Sequence, residues 1–411
     1  MAALAAIALF GCTSTAPAPD PTVSAFTVDS SQEVAAQTTL TTFLESARQG
    51  DRPSYDRTLS SRDASFASRS RELFDNLQAL PLTELRAELE PGPQRLPESR
   101  RAIFGADAWM QPARLYWRLP GDSAVAEHTV WLTFVAEGGQ VQIAGTVDEP
   151  NPHPVRQQPS WWLGSVRSSQ LGQVTVLVGA GQTSATWLAV GQRALTQVGR
   201  HLPVEAAPTD RRSLVLEVPA TTADFESVVG AEPGSYADIA AVTTAEGAGP
   251  DAALRVVLNP DAVRRLTPEG LAITVTHESV HVVTRSPQSP APLWVVEGLA
   301  DYVALRAYPD AAAGVAGPLL DDVAAHGPPR TLPPDSAFAA GAADLGLAYA
   351  QGWTACRFIA DDTSATRLGR LYRALDRGAT LDEATDDELG RSVTDLTDGW
   401  RRSLAAEAKR R

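Results

Sequence analysis

One constellation in this chain has residue types and a spacing that could do chemistry: His277-Glu278-Ser279-Val280-His281. On a helix, two histidines four residues apart project from the same face and can ligate one metal ion. Glu278 sits beside them, where a carboxylate can take a proton from water that the ion activates. The pattern needs a helix, and its flanks supply one. Thr267 can cap it, Pro268 suits the first helical position, and Leu271, Val275 and Val280 recur at helical spacing. Taken alone, the two histidines could equally be surface groups of an amphipathic helix. A catalytic zinc takes three protein ligands and keeps one position open, so a third ligand is required.

Trp294-Val295-Val296-Glu297-Gly298-Leu299-Ala300-Asp301-Tyr302 follows a proline-bounded loop at 286–292 that would let a second helix turn back on the first. Here the sequence resembles the gluzincin metallopeptidases, the group containing thermolysin and aminopeptidase N. In them a W-x-x-E-G-x-A-x-Y helix brings the third zinc-binding glutamate, and Trp294, Glu297, Gly298, Ala300 and Tyr302 match position by position. The resemblance implies Zn2+ held by His277, His281 and Glu297, with Glu278 as base. It also implies that Asp301, one turn on, holds a ligating histidine in its proper tautomer; the plain alternative is a solvated helix charge. Tyr349-Ala350-Gln351-Gly352 resembles the Y-x-K-G of aminopeptidase-N-like enzymes, which implies that the Tyr349 hydroxyl stabilises charge on the substrate carbonyl oxygen. Otherwise Leu345, Tyr349, Gly352, Trp353 and Cys356 form one helical face, and Tyr349 is core.

The resemblance covers about 161–405, through three short motifs and little between them. It is not to the metzincins, whose longer motif would need glycine and histidine where Thr284 and Pro287 stand. The only methionines are Met1 and Met110, so the G-x-M-E-N segment with which aminopeptidases grip a free amine is absent. The expectation is therefore hydrolysis of peptide or other extracytoplasmic amide bonds, in a peptide or protein substrate, by something other than a typical aminopeptidase. The competing expectations are a binding or scaffold lipoprotein that keeps the fold without catalysis, and a sensor whose N-terminal domain binds a ligand. An intact Glu278 argues against both, since a non-catalytic site has no use for a base.

The elements that must position these residues read as an α+β chain. Helical spacing of Val34, Leu40, Phe43, Leu44 and Ala47 predicts a first helix, stopped at Gly50-Asp51-Arg52-Pro53, and a second covers 63–77. Strands are predicted at 82–89, 113–119, 124–136 and 141–147. Helices followed by an antiparallel meander resemble, in element order only, the cystatin-like and nuclear-transport-factor-like modules, which makes 31–148 an accessory domain. Residues 149–160 hold four prolines and read as a linker. The 161–405 domain should carry strands at 173–178, 213–218, 236–243 and 254–258, a helix at 185–198, and helices almost throughout from Leu266. Tandem Trp161-Trp162 should seal the domain junction. No role in the site is expected for His128 in a strand, His153 in the linker, His201 at a helix end or His326 in a loop.

With 411 residues, 44% hydrophobic and 20% charged, the chain can bury two ordinary cores. Acidic residues outnumber basic ones by 49 to 35, and no Lys/Arg-rich run breaks the balance, which argues against a nucleic-acid partner. Residues 2–10 form an apolar run of signal-peptide length, too short to span a bilayer. Leu9-Phe10-Gly11-Cys12 resembles a bacterial lipobox, and a Ser/Thr/Ala/Pro tract at 13–24 follows as a tether would. Residues 1–30 are thus expected to be signal and tether, with lipid on Cys12 as the only contact with the membrane; a cleaved secretory signal is the alternative. Either places the body of the protein outside the cytoplasm.

Overall fold

A computed structural model describes residues 26–146, 148, 155–207, 213–247, 249, 251–339 and 342–411. Helix α1 (Ser30–Gln49) starts at Asp29, whose carboxylate accepts from the Ser31 and Gln32 amides, and it ends at Gly50 in the left-handed conformation. Two further helices, α2 (Arg52–Arg57) and α3 (Ala64–Ala79), complete this layer. They cover a sheet built from β1 (Glu84–Leu89), β2 (Gln94–Arg95), β3 (Trp109–Arg118), β4 (Ala126–Glu137) and β5 (Gln140–Gly145), with α4 (Glu98–Phe104) after β2. Strand order is β1-β3-β4-β5 with β2 also on β3, and every ladder is antiparallel. Alternation sends Ala113, Leu115 and Trp117 of β3 towards Leu40, Phe43 and Leu44 of α1 and Leu73 of α3. The sequence did not signal α2, β2 or α4, each too short to show a period.

The second half opens with α5 (Ser160–Leu163), β6 (Val166–Leu171), β7 (Val174–Gly179), α6 (Ser184–His201), β8 (Leu214–Val218), α7 (Thr222–Val229), β9 (Ala241–Glu246) and β10 (Ala253–Leu258). Their sheet has the order β6-β7-β8-β10-β9, parallel through β7, β8 and β10 and antiparallel at both margins. The strand expected over 236–243 begins only at Ala241. The Tyr236 amide donates to the buried Glu226 carboxylate, so the backbone there is held in a turn before the ladder starts. After β10 come only helices: α8 (Pro260–Val263), α9 (Pro268–Thr284), α10 (Leu293–Leu305), α11 (Pro309–His326), α12 (Leu345–Asp362), α13 (Ala365–Asp376), α14 (Leu381–Leu389) and α15 (Val393–Ala408), with short 3-10 turns at Ser286–Gln288 and Asp335–Phe338. His326 closes α11 instead of lying in a loop, with Nδ1 2.9 Å from Asp322 Oδ1. The chain is thus mixed α+β with a helical C-terminal half.

One face of the second sheet packs on α6 and α9 through Val176, Leu216, Val256, Trp187 and Val275. Its other face meets the first half. Trp161 and Trp162 share a core with Trp117, Leu177 and Val215, so residues from both halves are buried together. No helix among the described residues is long and apolar enough to cross a membrane.

Candidate metal centre

Helix α9 begins where the sequence placed it. Thr267 Oγ1 accepts from the Gly270 amide at 3.0 Å, and Pro268 occupies the first turn. It ends at Arg285, the one described non-glycine residue with positive φ, at 58°. A left-handed residue other than glycine costs about 1–2 kcal/mol, and here the side chain is well held. Its guanidinium donates to Ala252 O at 2.7 Å and to Gln288 Oε1 at 2.8 Å. This sharp stop turns Ser286 back against the end of α9.

Helix α10 follows Pro292 and packs on α9, its first amide, Leu293 N, bonded to Asp335 Oδ1. It lies unusually close to α12. A Cβ on Gly352 would sit 2.7 Å from the Trp294 carbonyl oxygen, and one on Gly298 would collide with the Gly352 carbonyl and stand 2.8 Å from Cys356 Sγ. Only glycine permits this approach. It sets the depth of Glu297, the neighbour of Gly298, and of Tyr349, one turn before Gly352.

The two helices bring His277, His281 and Glu297 to one point. His277 Nε2 is 2.9 Å from His281 Nε2 and 3.1 Å from Glu297 Oε2, and His281 Nε2 is 3.5 Å from the same oxygen. Around a tetrahedral ion with ligand bonds of about 2.0–2.1 Å, ligand atoms stand about 3.3 Å apart. Among the described residues this is the one group of three or more His, Cys, Asp or Glu placed to hold an ion. All three are essentially inaccessible to solvent.

The outer nitrogens show what the inner ones must be. His277 Nδ1 is 2.7 Å from Asp301 Oδ1, a carboxylate that can only accept, so Nδ1 carries the proton and Nε2 offers a lone pair. His281 Nδ1 is 2.6 Å from Ser286 Oγ, a hydroxyl that can accept its proton, and in that tautomer Nε2 turns its lone pair inward. With both rings neutral in these tautomers, three lone-pair atoms face one another in a buried space, an arrangement that repels unless a positive charge, a proton or a metal ion, is shared among them. Two imidazoles and a carboxylate are a donor set that suits zinc. Burial alone would neutralise Glu297, yet His281 and His277 outweigh it and hold its carboxyl at about 2. Burial likewise opposes charge on His277, but Asp301 and Glu297 raise the imidazole well above its ordinary value.

Glu278 lies on the same helix, buried, with its carboxyl pushed up by desolvation against the lowering influence of the imidazoles and Thr243. Oε2 is 2.5 Å from Thr243 Oγ1, while Oε1 has no hydrogen-bond partner. A buried carboxylate oxygen with no partner is costly, and here it belongs to the residue that the motif assigns as base. The Tyr349 ring centroid stands 6.3 Å from that of His277 and 5.4 Å from that of Phe338. The residue is half-buried; desolvation and then the charges of Glu297, Asp301 and Glu278 raise its phenol well above the ordinary value. Tyr349 therefore stays protonated, with its ring near that of His277. Asp301 is not a solvated charge but the buried acceptor of His277.

Cys12 and His153 lie outside the described residues. His201 ends α6, and burial, with the nearby Arg306 and Arg200, lowers its imidazole. His128, given no role from the sequence, reaches across the two sheets. Its Nε2 is 2.6 Å from Glu246 Oε2. Nearby, Arg255 grips both oxygens of Asp122 at 2.6 and 2.7 Å, and its Nε is 3.3 Å from Glu217 Oε1. All five are buried. Thr243 and Ser286 were also missed, since a lone hydroxyl residue carries no local signal of what it will touch.

No family model matches the chain, and no curated protein matches it.

Proposed function

We propose that the chain is an extracytoplasmic zinc-dependent hydrolase of the metallopeptidase type, acting on peptide or related amide bonds. The observation that carries this reading is the meeting of His277, His281 and Glu297 beside a buried Glu278 whose Oε1 is unpaired. The gluzincin-like motifs support it, as does Asp301 in the position that the resemblance assigns.

When bound, zinc would supply a Lewis acid that acidifies water and polarises a carbonyl. His277, His281 and Glu297 would hold it. Asp301 and Ser286 fix the ring orientations, so that no reorganisation is needed as the ion is loaded. Glu278 Oε1 receives the proton that the attacking water gives up, and returns it to the departing amine nitrogen. The Tyr349 hydroxyl, kept protonated by its surroundings, donates to the carbonyl oxygen as that atom gains charge.

A purely structural metal site is the second reading, favoured by the near-total burial of all four residues. Structural zinc sites are closed by four protein ligands, and among the described residues only three converge. The test is metal analysis of the purified protein together with a fluorogenic peptide-library screen, with and without chelator. One zinc per chain and chelator-sensitive cleavage are expected. Glu278→Gln should keep the metal and lose at least ~100-fold in rate. Full activity in that variant, or metal without cleavage of any library member, would overturn the catalytic reading.

A further inference from the structure

Strand β9 is the outermost strand of the second sheet, paired only with β10. Its odd residues, Ala241, Thr243 and Ala245, face α9 by the alternation of a strand. Thr243 is thus the one polar side chain that β9 turns towards the metal-binding helix, and it is buried. Its Oγ1 is 2.5 Å from Glu278 Oε2 and 3.2 Å from the Glu278 carbonyl oxygen. The main-chain carbonyl of a mid-helix residue already accepts an intrahelical bond, so the hydroxyl proton goes to the carboxylate. We infer that Thr243 is the positioning residue of the base, a role that rests on the hydrolytic reading above and names the group that aims Glu278.

The geometry assigns different tasks to the two carboxylate oxygens. Oε2 is tied to the strand; Oε1 is unpaired and available for the proton of water. A glutamate has three rotatable side-chain torsions, and without a fixed donor its carboxylate can turn away to find another partner. Thr243 removes that freedom. Its own position is set by the ladder, where it stands opposite Val256 of β10. The proton can therefore arrive at Oε1 and leave again while the Thr243 bond to Oε2 persists.

The experiment compares Thr243→Val, which has nearly the same shape without the hydroxyl, with Thr243→Ser, which keeps it. Each is made in the full chain loaded with zinc, and melting curves establish that each is folded. In Thr243→Val we expect unchanged zinc stoichiometry and unchanged KM, with kcat reduced about 10–100-fold, below the loss expected for the base itself. Thr243→Ser should recover kcat to within about threefold. Crystal structures of the same variants give a readout independent of activity: the Glu278 carboxylate should rotate in Thr243→Val and return in Thr243→Ser. A Glu278 side chain unmoved in Thr243→Val, or a kcat equal to wild type, overturns the assignment. A wild-type protein that cleaves nothing defeats the hydrolytic reading instead, and the crystallographic comparison still decides whether Thr243 holds the carboxylate.

Discussion

Gly298 and Gly352 face each other across α10 and α12 so closely that neither position has room for a side chain. Each glycine sits within one helical turn of a residue assigned to the site, Glu297 on one helix and Tyr349 on the other. The contact therefore fixes the distance between a proposed metal ligand and the group proposed to stabilise the carbonyl oxygen. Two short motifs that the sequence offered separately turn out to be the two sides of one helix–helix contact.

Adding a methyl group there should force the helices apart. Gly352→Ala meets the Trp294 carbonyl at 2.7 Å, backbone that cannot yield as a side chain would. Overpacking of this kind costs about 1–3 kcal/mol, and it should appear in urea unfolding as a lower midpoint with an unchanged slope. Zinc affinity should fall in the same variant. A Gly352→Ala protein as stable as wild type, with unaltered affinity, would mean that the close contact does not set the site.

The partners of the outer imidazole nitrogens should matter for binding even without touching the ion. Asp301→Asn and Ser286→Ala are each expected to weaken zinc binding by about 10–100-fold, measured by competition with a chromophoric chelator. Asp301→Asn should be the more damaging, because it replaces a charged acceptor with a neutral one. Equal affinities across the three proteins would deny these residues any part in orienting the ligands.

Tyr349→Phe removes one hydroxyl and leaves the ring packed against Phe338. If the hydroxyl serves the carbonyl oxygen, kcat should fall about 100–1,000-fold while zinc content and melting temperature hold. A core role predicts the reverse, a change in stability with little change in rate.

The buried charges between the halves make stability depend on pH. Glu217 is raised from its ordinary 4.5 to about 7, first by burial and then by Glu246, against Arg255, Ser160 and His128. Between those values the native state holds a proton on Glu217 that the unfolded chain has released, so its contribution to stability falls as pH rises through that window. Glu246, lowered by His128 and Arg255 despite its burial, acts oppositely and only below its ordinary value. Unfolding midpoints of wild type should therefore drop from roughly pH 5 to 8, and Glu217→Gln should flatten that slope. An unchanged slope in the variant would locate the dependence elsewhere.

The meeting of the candidate ligands was legible because their spacing is local. Two histidines four apart need only a helix to meet, and Thr267 with Pro268 announces where that helix starts. Glu297 and Asp301 followed from a nine-residue pattern. Thr243, Ser286 and His128 were not legible, because what they touch is set by how strands and turns are stacked, and no period in the chain records that. Ser286 depends on one left-handed residue, Arg285, which nothing in its residue type foretells. Tyr236 and Ile239 have the composition of a strand, but Glu226 takes the Tyr236 amide and leaves that stretch in a turn.

The Arg255–Asp122 fork bears on how the protein can be handled. Asp122 comes from the first half and Arg255 from the second, and each satisfies the other's charge in the interior. A fragment starting after the proline-rich stretch would carry Arg255, Glu217 and Glu246 without Asp122 or His128. It would also lay bare Trp161, Trp162, Leu177 and Val215, apolar surface that the first half buries. Such a fragment should express as aggregate, while the intact polypeptide melts in a single transition.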